Sequence, residues 1–441
     1  MESKETAQRA EIEGGLLALT LIALLVGIGS GLVGATFRLL LSQADRWRDA
    51  LILRAHAGSI GGLAILLLTC VAATALAARL VRRYSPFSAG SGITHVEVVL
   101  NGDLPPAPVG LVPVKFGAGL LALGSGLALG PEGPNVQMGG SIGHFIGRVF
   151  RRSWPDRRVL MAAGAGAGLA AAFNAPIAGA VFALEDLVRH LEIRIAIVVL
   201  GASATGLWIG RMLLGSDPEF HLPPLHFTGT GSGLFYLALG MAAGLLGAVY
   251  NRTIIGALEV ADRFSRCPVE VRAALIGAGV TVLAFFGAGL VGSGYSIIQQ
   301  ALDGSNALFT LLVAFLIRFA LGPISYAAGT PGGLLLPMLT LGAQLGIFFG
   351  LLCRFGFPTL GIQPEGFAVV GMAAFYTAAS RNPLTAIVLV TEMTAASTML
   401  MPMLIACFAA MTVPTLLGSP AIDESLQKRT LRIAKNNTPD K

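Results

Sequence analysis

The stretch GLALGPEGPNVQ at residues 126–137 constrains this chain more than any other, because it places a carboxylate, Glu132, within apolar sequence. An ionisable side chain in a membrane segment is costly and usually has a functional task. Pro131 and Pro134 start or break helices, and the flanking glycines allow backbone to approach a ligand closely. A helix that begins near Pro134 would point its free N–H groups toward the glutamate, or toward an anion in its place.

The composition is that of an integral membrane protein. Hydrophobic residues make up 54% of the 441 residues and charged residues only 12%, whereas soluble domains carry about 25% charged residues. The 57 glycines are too many for a simple leucine-rich bundle, and they indicate close helix packing and broken helices. The net charge of +6 is small and reflects loop arginines, so we expect a lipid bilayer and no nucleic acid as a partner.

Apolar segments long enough to cross a bilayer recur along the chain and fall into two halves. The first span is predicted at 15–37, and residues 38–54, which contain four arginines, are predicted to be a polar connection. The predicted domains are a cytoplasmic N-terminal segment at 1–14, a first transmembrane half at 15–214, an inter-half loop at 215–232, a second transmembrane half at 233–420, and a last short helix with a disordered tail at 421–441.

Breaks rich in glycine and proline lie at corresponding places in the two halves. One is the Glu132 motif, and the other is GTPGGLLLP at 329–337. Such a pair of interrupted segments indicates inverted repeats with a site near the membrane midplane, built from discontinuous helix ends. A third break, SAGSGIT at 88–94, precedes a segment that is too short to span the membrane.

Three motifs, GSGIT at 90–94, GPEGP at 130–134 and GLLLP at 333–337, together resemble those of the CLC family of chloride channels and proton-coupled chloride antiporters. The stretch AAAFNAPIAG at 170–179 also resembles a helix start of that family. The resemblance implies an all-α integral membrane protein with the CLC-type fold, in which two inverted-topology halves contain many tilted, discontinuous helices. It further implies a multi-pass homodimer in the cell inner membrane, with one anion pore in each subunit.

The resemblance also implies roles for residues around the central anion. Glu132 falls on the gating glutamate of the family, whose carboxylate occupies an anion site when deprotonated and leaves it when protonated. One residue could therefore gate chloride and carry a proton. The chloride-binding residues would be Ser91 with its hydroxyl, Leu334 and Leu335 with their backbone N–H groups, and Gly133.

Two further positions bear on proton coupling. Asp186 falls where exchangers of the family have the acidic residue that passes protons inward, usually a glutamate, and Glu185 beside it is the rival for this role. Ile422 falls where the family has the tyrosine that closes the inner side of the anion site. An isoleucine provides no hydroxyl, and this departure favours the alternative that the protein is a passive chloride channel.

The sequence therefore predicts transmembrane chloride transport, coupled to protons through Glu132 and Asp186, with the passive channel as the alternative. Another anion, nitrate or fluoride, is also open. The nitrate-preferring plant relatives have proline at the position of Ser91, which favours chloride, and the fluoride branch has a different first motif. We find no Ser/His/Asp or metal-binding pattern, so neither enzyme activity nor a cofactor is predicted. The chain ends shortly after its last hydrophobic segment, and we expect no regulation by ATP.

Overall fold

The protein is built of α-helices. Its structure, a computed structural model, describes residues 2–58, 60–189, 192–225, 233–264, 266–304 and 308–437. Within these ranges there are seventeen α-helices and no β-strand, and eight helical segments are long and apolar enough to cross a membrane. The helices are α1 (Glu2–Gly58), α2 (Ile60–Tyr84), α3 (Ile93–Asn101), α4 (Leu111–Gly124), α5 (Glu132–Val149), α6 (Trp154–Phe173), α7 (Pro176–Phe182), α8 (Ile193–Leu214), α9 (Gly233–Arg263), α10 (Val269–Phe286), α11 (Tyr295–Leu302), α12 (Leu308–Tyr326), α13 (Leu335–Gly356), α14 (Pro364–Ser380), α15 (Pro383–Thr394), α16 (Leu400–Leu416) and α17 (Ile422–Asn437).

The first helix is much longer than the sequence predicted. Because α1 continues without a break to Gly58, the prediction of a polar connection at 38–54 was wrong. Two arginines of this stretch are paired, Arg38 with Glu219 outside the helix and Arg48 with acids of the helix itself. Arg48 is buried, and its guanidinium pairs with Asp45 at 2.6 Å and with Asp49 at 3.0 Å. A buried arginine that is neutralised by neighbours on its own helix does not have to end that helix.

The structure describes parts of the predicted inter-half loop and of the predicted C-terminal segment. Residues 215–225 of the inter-half loop contain no α-helix, and residues 226–232 lie outside the described residues. Within the segment 421–441, α17 extends from Ile422 to Asn437, and residues 438–441 of the predicted tail also lie outside the described residues. The assignment of these segments to domains stays a prediction.

The two halves share one local design. In the first half, Asn174 directly follows α6 as its C-cap residue in the left-handed conformation, and α7 starts at Pro176. In the second half, Arg381 follows α14 in the same way and in the same conformation, and α15 starts at Pro383. The proline needs no hydrogen bond at the first helical position, so it restarts a helix at little cost.

The short helices α7 and α15 cap each other through a pair of glutamates. In each half a glutamate lies nine residues after the proline, at Glu185 and at Glu392. Each carboxylate accepts hydrogen bonds from the first turn of the other half's helix. The donors are Leu384 N–H at 3.1 Å and Thr385 N–H at 2.6 Å for Glu185, and Ile177 N–H at 3.2 Å and Ala178 N–H at 2.8 Å for Glu392. This reciprocity supports two repeats related by a pseudo-two-fold axis.

We expect Glu392→Ala to destabilise the protein by about 1–2 kcal/mol, the usual effect of losing a helix cap. The substitution leaves two N–H groups at the start of α7 without their acceptor. The measurement is the thermal unfolding midpoint of the purified chain in detergent. Glu424→Ala is the control, because Glu424 forms only an exposed ion pair with Lys428, and such pairs contribute about 0–1 kcal/mol. Equal midpoints for the two variants would contradict the capping role.

Candidate functional site

The three helix breaks meet inside the protein, and backbone hydrogen bonds join them. Gly90 N–H donates to the carbonyl of Thr330 at 3.1 Å, and Gly332 N–H donates to the carbonyl of Gly90 at 3.1 Å. Gly130 and Gly333 exchange two hydrogen bonds, at 3.0 and 2.8 Å. These bonds bring together the starts of α3, α5 and α13, each of which has free N–H groups in its first turn.

The carboxylate of Glu132 lies at the N-terminus of α13. Glu132 is fully buried, and its Oε1 accepts a hydrogen bond from Leu336 N–H at 3.3 Å. Its Oε2 has no hydrogen-bond partner among the described residues. A Cβ atom at Gly130 or at Gly333 would overlap this carboxylate, so the two glycines make the space that it fills. The helix dipole of α13 favours a negative charge at this position.

The predicted chloride-binding residues surround the same point. Ser91 is buried in the turn before α3, and a Cβ atom on Gly133 would overlap its hydroxyl. Leu334 is the N-cap residue of α13 and Leu335 is its first residue. The structure therefore brings together all four of these residues and Glu132. Backbone N–H groups and a hydroxyl can bind an anion while still allowing its release.

A buried lysine supports the turn that carries Ser91, and the sequence reasoning did not identify it. Lys115 of α4 is fully buried, and its Nζ donates to the carbonyls of Ser88 at 3.1 Å and Gly90 at 2.8 Å. Both carbonyls precede Ser91, so these bonds hold the backbone that leads into the turn. The signal was present in the sequence, since Lys115 is the only charged residue in the apolar helix LVPVKFGAGLLALG.

Asp186 and Glu185, the two candidates for the proton-passing role, have different surroundings. Asp186 lies in a π-helical turn, Ala183–Val188, that directly follows α7, and π-helical turns are frequent at functional sites. Its side chain is buried, and Oδ1 accepts a hydrogen bond from Asn382 Nδ2 at 2.6 Å. Glu185 is occupied in capping α15. Within the described residues, no hydrogen bond joins Asp186 directly to the Glu132 site.

Asp186 belongs to a group of acidic side chains that we call the carboxylate cluster, formed by Glu97, Asp186 and Asp423. Glu97 is buried and accepts hydrogen bonds from Gln427 Nε2 at 2.7 Å and from Arg189 Nη2 at 3.4 Å. Arg189 also donates from Nε to the backbone carbonyl of Asp186 at 3.2 Å. Burial raises the pKa of Asp423, on α17, to about 6, and the positive charge of Arg189 opposes that shift. Carboxyl groups that interact with one another take up and release protons in steps that belong to the whole group.

Ile422 is the first residue of α17 and is buried. It lies directly before Asp423 and therefore beside the carboxylate cluster in the chain. Its side chain is apolar, so Ile422 offers no side-chain hydrogen bond to an anion. The assignment of Ile422 to an inner gate stays a prediction.

Comparisons with known proteins agree on one family. Residues 73–415 match the family model described as voltage gated chloride channel. The chain is 35% identical over 435 residues to the H(+)/Cl(-) exchange transporter ClcA of Vibrio cholerae serotype O1 (strain M66-2), covering 95% of this chain and 91% of that protein. It is 34% identical over 424 residues to the transporter of the same name from Salmonella arizonae (strain ATCC BAA-731 / CDC346-86 / RSK2980), covering 94% of this chain and 89% of that protein.

The fold is also similar to that of solved structures. The crystal structure of a slow cyanobacterial Cl-/H+ antiporter superimposes with a TM-score of 0.90 at 32% sequence identity, over 95% of this chain and 99% of that one. A CLC-type fluoride/proton antiporter superimposes with a TM-score of 0.75 at 22% identity, which is a likeness of fold alone. The predicted fold class is confirmed by these likenesses and by the helical architecture.

Proposed function

The chain belongs to the voltage-gated chloride channel family, and we propose that this multi-pass membrane protein exchanges chloride for protons. The observation that carries the proposal is the buried carboxylate of Glu132 at the N-terminus of α13, with one oxygen unpaired. A helix N-terminus of this kind accepts either a carboxylate or a free anion. The relatives that are named as chloride/proton exchangers match nearly the whole length of the chain, which supports the same activity here.

Chloride and the Glu132 carboxylate compete for one site in this proposal. When Glu132 is ionised, its carboxylate fills the space between the glycines and excludes chloride. When it is protonated, its attraction to the dipole of α13 is lost and the neutral side chain leaves the space. Chloride is then bound by the N–H groups of Leu334 and Leu335 and by the hydroxyl of Ser91, beside Gly133.

The proton is supplied to Glu132 from the carboxylate cluster. Asp186 is the proposed donor because it is buried, because Asn382 holds its carboxyl in one orientation, and because Arg189, which pairs with Glu97, also donates to the backbone carbonyl of Asp186. Glu185, the other acid of the same turn, is not available to accept a proton from Asp186, because it is hydrogen-bonded to α15. Each cycle therefore needs Glu132 to accept a proton from one side and to release it to the other.

The experiment is transport by the purified chain in liposomes. We expect an outward chloride gradient to drive protons inward, because exchange couples the two movements in opposite directions. A pH-sensitive dye and a chloride electrode report both fluxes in the same sample. Robust chloride flux without proton movement would overturn exchange and would favour a passive channel, the second candidate, which the loss of a hydroxyl at Ile422 supports.

The proposal extends to the assembly, the location and the anion. We propose that the protein is a homodimer in a cell inner membrane, with one anion pore in each subunit. We also propose that chloride is the physiological anion, because Ser91 offers a hydroxyl at the site. Native mass spectrometry of the purified protein tests the dimer, fractionation of cell membranes tests the location, and competition of nitrate and fluoride with chloride flux tests the anion.

A further inference from the structure

A tyrosine hydroxyl contacts the turn that carries the proposed chloride-binding serine. Tyr326, the last residue of α12, is buried, and its Oη accepts a hydrogen bond from the backbone N–H of Ser91 at 3.3 Å. The two residues are 235 positions apart in the sequence, so only the fold brings them together. The hydroxyl lies close against the backbone, because a Cβ atom on Gly90 would be 3.0 Å from it.

The end of α12 holds Tyr326 in this position. Pro323 lies inside α12 and provides no N–H for the helical ladder, and the helix ends three residues later. Ser325 Oγ accepts a hydrogen bond from Ala128 N–H at 3.1 Å, which ties this last turn to the segment before Glu132. The phenol is thus fixed from one side by its helix and from the other by the turn before α3.

The N–H group that Tyr326 occupies is one that an anion could use. It lies just before α3, where N–H groups have no partner within the helix and the helix dipole favours negative charge. The neighbouring N–H of Gly90 is already bonded to the carbonyl of Thr330. A phenol oxygen on Ser91 N–H therefore takes a donor away from any anion that approaches the Ser91 turn.

Tyr326 also lies near Ile422, the position at which this chain lacks the tyrosine hydroxyl of the family. Asp423, the residue after Ile422, is close enough to the Tyr326 hydroxyl to interact with it electrostatically. No hydrogen bond from the Tyr326 O–H to an acceptor is present among the described residues. The phenol is therefore a buried group whose oxygen accepts from Ser91 N–H and whose O–H has no acceptor among the described residues.

We propose that Tyr326 is an inner gate of this transporter: its hydroxyl competes with chloride for the N–H of Ser91 and closes the chloride site on that side. The proposal rests on the proposed function, since a gate requires transport. In this proposal Tyr326, on α12, provides the hydroxyl that Ile422 does not provide. Opening the gate requires the breaking of a single neutral hydrogen bond, and such bonds contribute little net free energy.

The test is Tyr326→Phe in the full chain, which removes one oxygen and keeps the ring. We expect chloride to bind roughly two- to tenfold more tightly, as the loss of one competing hydrogen bond implies. We also expect faster chloride turnover and fewer protons transported per chloride. Isothermal titration of chloride in detergent gives the affinity, and proteoliposomes give both fluxes. Tyr250→Phe is the matched control, because Tyr250 is a fully buried tyrosine whose hydroxyl has no partner among the described residues.

Several outcomes would overturn the gate. Weaker chloride binding by Tyr326→Phe would mean that the phenol is a ligand of chloride and does not compete with it. Unchanged binding and turnover would mean that chloride does not use the Ser91 N–H. Tighter chloride binding and faster turnover in Tyr250→Phe as well would mean that the loss of any buried tyrosine hydroxyl produces these effects. Failure of the proposed function is distinct from these, because it would be seen in the unmodified chain, as chloride flux without proton movement or as no chloride flux at all.

Discussion

Replacement of Glu132 by glutamine is expected to reduce proton flux to the level of protein-free liposomes while chloride flux continues. Glutamine has nearly the same shape, so it fits the space that Gly130 and Gly333 leave, but it cannot be ionised. It therefore carries no proton between the two sides of the site. Without a negative charge it also loses its attraction to the N-terminus of α13, and chloride can occupy that position at any pH.

The pH dependence of chloride flux gives a second measurement on the same variant. In the unmodified chain, flux should rise as pH falls, because protonation of Glu132 empties the site for chloride. In Glu132→Gln this dependence of chloride flux on pH should be absent, because glutamine does not titrate. Glu132→Ala is the comparison, since it removes the side chain altogether and should give the same uncoupled transport. Proton flux that survives in either variant would show that the gate has been assigned to the wrong residue.

The sequence predicted the helices well wherever the signals were local. Hydropathy indicated the spans, and glycine and proline indicated where helices break, because these two residues impose their preferences on the backbone directly. The predicted breaks at 88–94, 130–134 and 329–337 contain the starts of α3, α5 and α13. The prediction for residues 38–54 was wrong for a physical reason. The arginines of this stretch suggested an exposed loop, but Arg48 is buried and paired within α1. Charge alone does not distinguish a loop from a helix that satisfies its own charges.

The candidate site was predictable only in part. Glu132 and Ser91 lie in short motifs whose composition already indicates an anion site at broken helices. Lys115 could have been found as a lone charge in an apolar helix. The contact of Tyr326 with Ser91 could not be predicted, because it depends on how α12 packs against the turn before α3. Contacts between residues so distant in the chain leave no periodic or local trace in one sequence.

The carboxylate cluster shows the same limit. Glu97 and Gln427 are hydrogen-bonded across 330 positions of the chain, and the link exists only because α17 packs against α3. From the sequence, Asp186 was predicted to have the proton-passing role, and the adjacent Glu185 was its rival. In the structure one caps the opposite half and the other is buried beside an amide. The distinction follows from tertiary structure and could not come from residue type.

Asp186→Asn is expected to abolish most proton transport and to leave chloride flux largely intact. Asparagine is isosteric with aspartate, and its carbonyl oxygen can still accept the hydrogen bond from Asn382, so the π-helical turn should keep its shape. It cannot release a proton, so the carboxylate cluster would lose the member that we propose as donor to Glu132. Proton and chloride fluxes in liposomes, measured together, give the effect as a lowered ratio of protons to chloride.

The neighbouring acid provides the control for this prediction. Glu185→Gln should lower the thermal unfolding midpoint, because an amide cannot replace a carboxylate that accepts from two N–H groups and a hydroxyl of α15. It should leave the ratio of protons to chloride unchanged. Asp186→Glu, which restores an acid with one more methylene, should recover proton transport that Asp186→Asn loses. If Glu185→Gln uncoupled the fluxes and Asp186→Asn did not, the proton would travel through the cap between the two halves, and the roles of these two acids would have to be exchanged.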